Sequence, residues 1–245
     1  MADVDQAPQR QQLHLRPTAQ LAERVLLPGD PGRALALAQS LLTDPRMFNH
    51  HRGLWGYTGV AADGAPLTIQ STGMGGPSAA IVLTELIALG ARRVIRVGTC
   101  GALAPGLSLG ELVIARESFC ADGASVALGG GERAVADRVL SDRLCAVASS
   151  ARAGAVVSVD LFYALDDLDD ALAGRARAGG DALAGPDGPR SDDAARALDR
   201  YRAAGALAVE MESATLFALG ARAGVAVACV LAVSDTFDAS GARTR

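Results

Sequence analysis

Lysine is absent from this 245-residue chain; all 23 lysine-or-arginine positions hold arginine. Schiff-base chemistry, an internal aldimine with pyridoxal phosphate and a Walker-type P-loop all require a lysine, so each is excluded. Any anion the protein holds must be held by arginine, backbone N–H groups or a metal. Drift toward Arg, Ala and Gly in a GC-rich coding sequence accounts for most of the arginines; the chemical exclusion stands whatever its origin. A basic surplus is also lacking. The net charge is -4, and there is no basic block, which argues against nucleic acid as the main partner. No apolar run approaches the roughly 18 residues needed to span a bilayer, so no membrane partner is expected. Met1 to Gln12 is polar with no apolar stretch, so no secretory leader is expected. Cysteines number four, Cys100, Cys120, Cys145 and Cys229, with neither CxxC nor Cys/His ligand spacing. They read as reduced thiols of a cytoplasmic protein, with no metal site.

What is present is half apolar, and at this length one α/β domain can bury a sizeable core. Residues 1–20 read as a loose arm and residues 21–245 as the domain. Arg24–Pro28 is a short strand, followed by a turn at Gly29-Asp30-Pro31-Gly32 and a helix over Arg33–Leu42. Pro66–Ser71 is a second strand, ending in a glycine-rich turn from Gly73 to Gly76. Ala79–Leu89 is a buried helix with Gly90 as its cap. Further strands are expected at Arg93–Gly98, Glu111–Ala115, Ala155–Ser158, Ala206–Glu210 and Val225–Ser234, with a helix over Ser213–Ala223. Strands alternating with helices predict a single domain with a central mixed, largely parallel sheet, covered by helices on both faces. An Ala-, Gly-, Asp- and Arg-rich stretch at about 166–200 reads as a surface insertion, flexible around Gly185–Pro189.

In such sheets the ligand site lies at the carboxyl ends of the strands. Three strand ends there offer backbone N–H groups at glycine turns: Gly29, Gly73 to Gly76, and Gly98 to Gly101. Arg33 sits one turn into the first helix. Arg96 alternates with apolar neighbours inside a strand, where an unpaired charge is costly. Two readings of Arg96 stand level: an ion pair with a core carboxylate, or a bidentate clamp on phosphate or carboxylate. Glu210-Met211-Glu212 ends a strand, and alternation sends one acid inward and the other away. The acids either cap the next helix or bind a diol such as ribose. Asp235, after the longest apolar strand, reads as a helix cap or as a general acid or base. His14 lies in the polar arm and reads as exposed. His50-His51, near Trp55, read as a packing corner or a subunit contact. A dinucleotide-dependent oxidoreductase would need GxGxxG after the first strand, and Gly29-Asp30-Pro31-Gly32 does not fit.

The ordered motifs GDPGR (29–33), HRGLWGYTG (51–59), STGMGGPSAA (71–80), RVGTCGAL (96–103), DLFY (160–163), VEMES (209–213) and AVSD (232–235) resemble the hexameric bacterial purine nucleoside phosphorylases. These belong to the nucleoside phosphorylase superfamily with the uridine phosphorylases, so a nucleoside phosphorylase-like fold is expected. The resemblance implies phosphorolysis of purine (deoxy)nucleosides to base and (deoxy)ribose 1-phosphate, a purine-salvage reaction. It implies no organic cofactor and no metal, with inorganic phosphate as co-substrate. Gly29, Arg33, Arg96 and Thr99 match phosphate contacts, and Arg52 matches an arginine that reaches a neighbouring subunit's phosphate. His14 matches a histidine that crosses the interface to the ribose 5′-hydroxyl. Met74 and Met211 match ribose-packing methionines, and Glu212 the carboxylate on the 2′- and 3′-hydroxyls. Cys100, Gly101, Phe162 and Val209 match the base pocket, and Asp235 the acid that protonates purine N7. A homo-oligomer with shared sites, a hexamer built as a trimer of dimers, is implied.

Uridine phosphorylases share VEMES but carry Gln-x-Arg shortly after the stacking Phe and lack the acid at Asp235. Here Phe162 is followed by YALDDLDD, which favours purine. Related hydrolytic nucleosidases do not need the phosphate arginines, and Arg33, Arg52 and Arg96 argue against them. Arg243 does not stand at the spacing of the arginine that assists the family's catalytic aspartate, and no role is carried to it. A uridine phosphorylase and a nucleoside-binding protein weakened in catalysis are the competing readings.

Overall fold

A computed structural model describes residues 12–162, 192–237 and 243–244. The first apolar run becomes β1 (Arg24–Pro28), and α1 (Pro31–Leu41) follows at once. The Asp30 carboxylate accepts from the Arg33 N–H at 2.6 Å and Pro31 opens the helix, so the GDPGR turn is a helix start with its cap built in. Then come β2 (Leu42–Asn49), a 3-10 turn (His51–Gly53), β3 (Gly56–Ala61), β4 (Pro66–Gln70) and α2 (Gly76–Ala88). β5 (Arg93–Ala102), β6 (Leu112–Ala121), α3 (Gly123–Ala127), β7 (Arg133–Val135), α4 (Arg138–Val147) and β8 (Arg152–Val159) continue the chain. After the undescribed segment come α5 (Asp192–Ala203), β9 (Ala208–Glu210), α6 (Ser213–Ala223), β10 (Ala226–Phe237) and β11 (Arg243–Thr244). The expected insertion therefore lies outside the described residues except for its end, which is helical in α5; Gly185–Pro189 lies wholly outside.

The expected mixed sheet is present, and its center is parallel: β4, β1, β5 and β10 lie side by side in one direction. The sheet also closes on itself. β5 pairs with β10, β10 with β6, β6 with β8, β8 with β9, and β9 returns antiparallel to β5. Closure brings the carboxyl end of β5 beside both β9 and β10 on one rim. The β2–β3–β4 meander extends the sheet on the other side. β2 and β3 have no apolar alternation to announce them. β2 holds Pro45 and a left-handed Asp44 (φ 47°), with register shifts against β3, which is how an edge strand tolerates proline.

Helices pack on this frame. α1 lies against β2–β4, α6 against β6, β8 and β10, α4 against β6 and β10, and α2 against α6. α6 ends at Gly224, whose φ of 66° is the left-handed cap that glycine adopts without a Cβ penalty. The main core gathers Leu27, Phe48, Val82, Leu86, Val94, Phe217 and Leu231. Among the described residues no helix is long and apolar enough to cross a membrane.

From residue 13 onward the arm is not loose. Glu85 of α2 accepts from the N–H groups of Leu13, His14 and Leu15 at 2.7–3.1 Å and from His14 Nδ1 at 2.8 Å. Leu15 enters the core at 1% exposure. One carboxylate satisfies three successive backbone donors, which a short polar sequence does not advertise. Burial pushes the Glu85 carboxyl up, but the Leu15 and His14 hydrogen bonds outweigh it and hold it below its ordinary value. A depressed folded pKa contributes stability above the unfolded pKa, lost as pH falls through the folded one. Glu85→Ala is therefore expected to cost about 1–3 kcal/mol near neutrality. Urea unfolding measures it, and amide exchange at residues 13–15 should speed selectively.

Candidate active site

Strand register assembles the site. Leu27 and Pro28 of β1 stand beside Arg96 and Val97 of β5. Ala232, Val233 and Asp235 of β10 stand beside Thr99, Cys100 and Gly101. Val209 of β9 faces Gly101 across an antiparallel pair. The turn after β4 folds onto the turn after β1, with the Gly73 N–H donating to the Gly29 carbonyl at 3.0 Å. An added Cβ on Gly29 would lie 3.3 Å from the Gly73 carbonyl, so a larger residue there would press the two turns apart by a few tenths of an ångström. Gly29, Gly73 to Gly75, Thr99 to Gly101, Val209 to Glu212 and Asp235 thus share one rim.

Arg96 is the center of this rim. It is 4% exposed, and its side chain runs along the strand over Gly98, where a Cβ would lie 2.8 Å from Nη2. Nε donates to Glu210 at 3.0 Å and Nη2 donates to Glu212. Nη1 is buried with no acceptor among the described residues. Glu212 also accepts from the Gly75 N–H at 2.6 Å, linking the VEMES turn to the glycine turn that carries Met74. The ion-pair reading of Arg96 therefore holds, and Nη1 is left as a donor without a partner among the described residues. Burial alone would lower its pKa, but Glu212 and Glu210 raise it above its ordinary value, so it stays charged. Burial raises the Glu212 carboxyl, Arg96 opposes this, and Glu210 adds to it; the net direction is up.

Four expectations need correction. Gly98 to Gly101 form no glycine turn, because β5 runs on to Ala102 and pairs there with β10 and, at Gly101, with β9. Glu210 and Glu212 do not point to opposite sides. β9 ends at Glu210 and the chain turns into α6, with Glu212 at its N-cap position, so strand alternation stops applying and both acids reach Arg96. Asp235 is not a helix cap, because it lies inside β10, just past an irregularity between Val233 and Asp235. Its side chain is buried, at 5% residue exposure, and accepts from the Ser234 hydroxyl at 2.8 Å. His14 is half-buried rather than exposed, pinned by Glu85.

The cysteines at the site are not nucleophiles. Burial, then Glu210, pushes the Cys100 thiol up to about 12. Burial pushes Cys229 up to about 12 as well. Neither is a thiolate near neutrality.

The other expected residues are more open. Arg33 is half-buried in the first turn of α1, and its guanidinium makes no hydrogen bond or ion pair among the described residues. Met74 is 86% exposed, Met211 is half-buried, and Phe162 is 37% exposed beyond the end of β8. Arg52 and His14 form a separate corner. His51 Nδ1 donates to the His14 carbonyl at 3.0 Å, and Asn49 accepts from the Arg16 and His51 N–H groups. That makes His51 part of a packing corner. Arg52 beside it is exposed with φ at 59°, a left-handed backbone that costs a non-glycine residue about 1–3 kcal/mol. No hydrogen bond or ion pair among the described residues joins this corner to the Arg96 cluster. Residues 163–170, which follow Phe162, lie outside the described residues.

Ser158 and Ser118 were not singled out from the sequence as parts of the site, and Glu210 only as one of the two acids of Glu210-Met211-Glu212, with no tie to Arg96. Ser158 donates to Glu210 and lies 3.0 Å from Ser118, all of them buried. The available signal was a serine breaking the apolar pattern in each of two stretches, and only the pairing of β6 with β8, which sets Ser118 beside Val156 and Ser158 beside Cys120, brings the two hydroxyls together.

Comparison with known proteins adds to this geometry. A family model described as the phosphorylase superfamily matches residues 23–244. The DeoD-type purine nucleoside phosphorylase of Caldanaerobacter subterraneus subsp. tengcongensis is 34% identical over 224 residues, covering 88% of this chain and 84% of that protein. The corresponding protein of Clostridium beijerinckii is 32% identical over 229 residues, covering 90% and 84%. Among solved structures, uridine phosphorylase from Vibrio fischeri superposes with a TM-score of 0.72 at 27% identity, over 87% of this chain and 80% of that one.

Proposed function

The chain belongs to the phosphorylase superfamily, and on that premise we propose that it is a pentosyltransferase that cleaves purine nucleosides with phosphate, releasing the base and ribose 1-phosphate. The observation that carries this reading is Arg96, buried, charged and ion-paired, with Nη1 lacking an acceptor among the described residues. An unmade hydrogen bond on a buried cation costs more than a neutral one, so such a group is suited to an oxyanion.

In this reading phosphate lies against the Gly29 N–H, Arg33, Arg96 and Thr99. The ribose is held by Glu212 between Met74 and Met211. The base lies among Cys100, Gly101, Val209 and Phe162. Because Arg96 and Glu212 touch, phosphate and the ribose hydroxyls would be neighbours, as attack on C1′ requires. Arginines and backbone N–H groups stabilise the phosphate as charge shifts to an oxocarbenium-like sugar. A purine anion is a poor leaving group, and Asp235 supplies a proton at N7. Arg52 and His14 complete a neighbour's site in a shared-site oligomer, a hexamer by resemblance; the outward-facing, left-handed Arg52 supports this.

Uridine cleavage is the second reading, favoured by the Vibrio fischeri likeness. One assay separates the readings. Inosine, guanosine, adenosine and uridine are incubated with and without phosphate, and ribose 1-phosphate is measured. Purine nucleosides are expected to turn over, strictly with phosphate, and the active species to be an oligomer by mass in solution. Free ribose without phosphate would mean a hydrolase, faster uridine turnover the second reading, and binding without turnover a nucleoside-binding protein.

A further inference from the structure

Glu210 is given no substrate contact in the reading above, yet its side chain is 1% exposed and accepts hydrogen bonds from four different groups. It accepts from Arg96 Nε at 3.0 Å, from the Glu212 N–H at 3.0 Å and from the Ser213 N–H at 2.9 Å. The Ser158 hydroxyl donates to it as well, and that same oxygen accepts from the Ala214 N–H at 2.9 Å. These donors come from β5, β8 and the start of α6, so Glu210 is fixed from three elements at once. A helix cap would need only the Ser213 bond. The Arg96 contact is extra, and it is made at Nε, the one guanidinium nitrogen that leaves the whole Nη edge facing elsewhere.

We propose that Glu210 is a positioning residue: it anchors Arg96 through Nε, so that the Nη edge meets both Glu212 and the bound phosphate in a set orientation. The proposal rests on the phosphorolysis reading. Held by Glu212 alone, Arg96 would have one partner on the edge where phosphate must bind. The incoming anion would then compete for the group's only tether, and the guanidinium would turn. With Nε held separately, Nη2 can be shared with phosphate and Nη1 engaged without the side chain moving. The Glu210 charge does not repel phosphate strongly, because Arg96 and three N–H or hydroxyl donors already surround it.

Glu210→Gln keeps the size but places an amide N–H group against donors that previously met a carboxylate. It is expected to raise the KM for phosphate at least about tenfold, while the nucleoside KM moves less than about threefold. Ser158→Ala, which removes one of the bonds fixing Glu210, should shift phosphate KM in the same direction by a smaller factor. Phosphate without nucleoside should raise the Tm of the wild type and raise that of Glu210→Gln far less, whatever the starting Tm. A purely structural role would lower the starting Tm and move both KM values together, which would overturn the proposal. So would an unchanged phosphate KM, or one that falls because repulsion was relieved. If wild-type protein releases ribose without phosphate, the function reading fails. The proposal then stands or falls on the phosphate-induced Tm shift alone.

Discussion

Asp235→Asn is expected to lower kcat for inosine phosphorolysis by about 10²–10⁴, with the phosphate KM little changed. The carboxyl is buried, at 5% exposure, and sits at the register position beside Gly101, which in turn faces Val209. Those are the positions assigned to the base, so the group is set to act at the leaving purine and not at phosphate. Asparagine still accepts the Ser234 hydroxyl through its amide oxygen, so folding should survive. What it loses is the proton to donate. A purine nucleoside already made cationic by alkylation at N7 carries its own good leaving group and needs no such proton. The variant should therefore cleave the N7-alkylated nucleoside at close to the wild-type rate. An equal loss on both substrates would mean that Asp235 shapes the pocket without acting as the acid.

Arg96→Met is expected to damage both stability and catalysis. The substitution leaves Glu210 and Glu212 side by side, both under 7% exposed, without the cation between them. Breaking a buried ion pair from one side costs about 3–5 kcal/mol. At this chain length each kcal/mol is about 2–4 °C, so Tm should fall by roughly 6–20 °C. The loss depends on pH with a definite sign. Glu212 already has a raised folded pKa, mainly through burial, and Arg96 is what restrains the rise. A carboxyl raised in the folded state contributes stability that is present at low pH and lost as pH rises through its folded pKa. Without Arg96 that effect grows, so the deficit of Arg96→Met should be larger near pH 8 than near about pH 5. Calorimetry at the two pH values checks it. Turnover with phosphate should fall by about 10²–10³, the usual cost of removing one such donor, on top of any loss of folded protein. Arg96→Lys keeps the charge but not the fork. It should recover most of the stability and little of the phosphate affinity.

Much of this site was visible in the chain because strand ends announce themselves. GDPGR and the Gly73–Gly76 turn each follow an apolar run, RVGTCG and AVSD lie in the carboxyl-terminal parts of β5 and β10, and in a parallel sheet such ends share an edge. Arg96 stood out as a charge inside VIRVG. Less visible were contacts that depend on one element meeting another. Glu85 lies in the helix expected to be buried and draws no role from the sequence, yet it binds three backbone N–H groups of the arm. Ser158 is only the last residue of an expected strand and Ser118 lies beyond the expected strand Glu111–Ala115, and they become a polar chain behind Glu210 only when β6 and β8 pair. β2 and β3 escaped notice because proline and turn residues mask an edge strand whose pairing is set by its neighbour.

By itself, the sequence determined the alternation of strands and helices, the residue types at each strand end, and the absence of any lysine. That absence leaves guanidinium as the only permanent side-chain cation for an anion. Periodicity and turn chemistry are local properties, so they can be read from neighbours along the chain. Tertiary structure alone decided that the sheet closes, that both acids of VEMES reach Arg96, and that Asp235 lies within a strand. Those outcomes depend on long-range register and on burial. Register selects which side chains meet, and burial makes an unpaired charge too costly to leave without a partner.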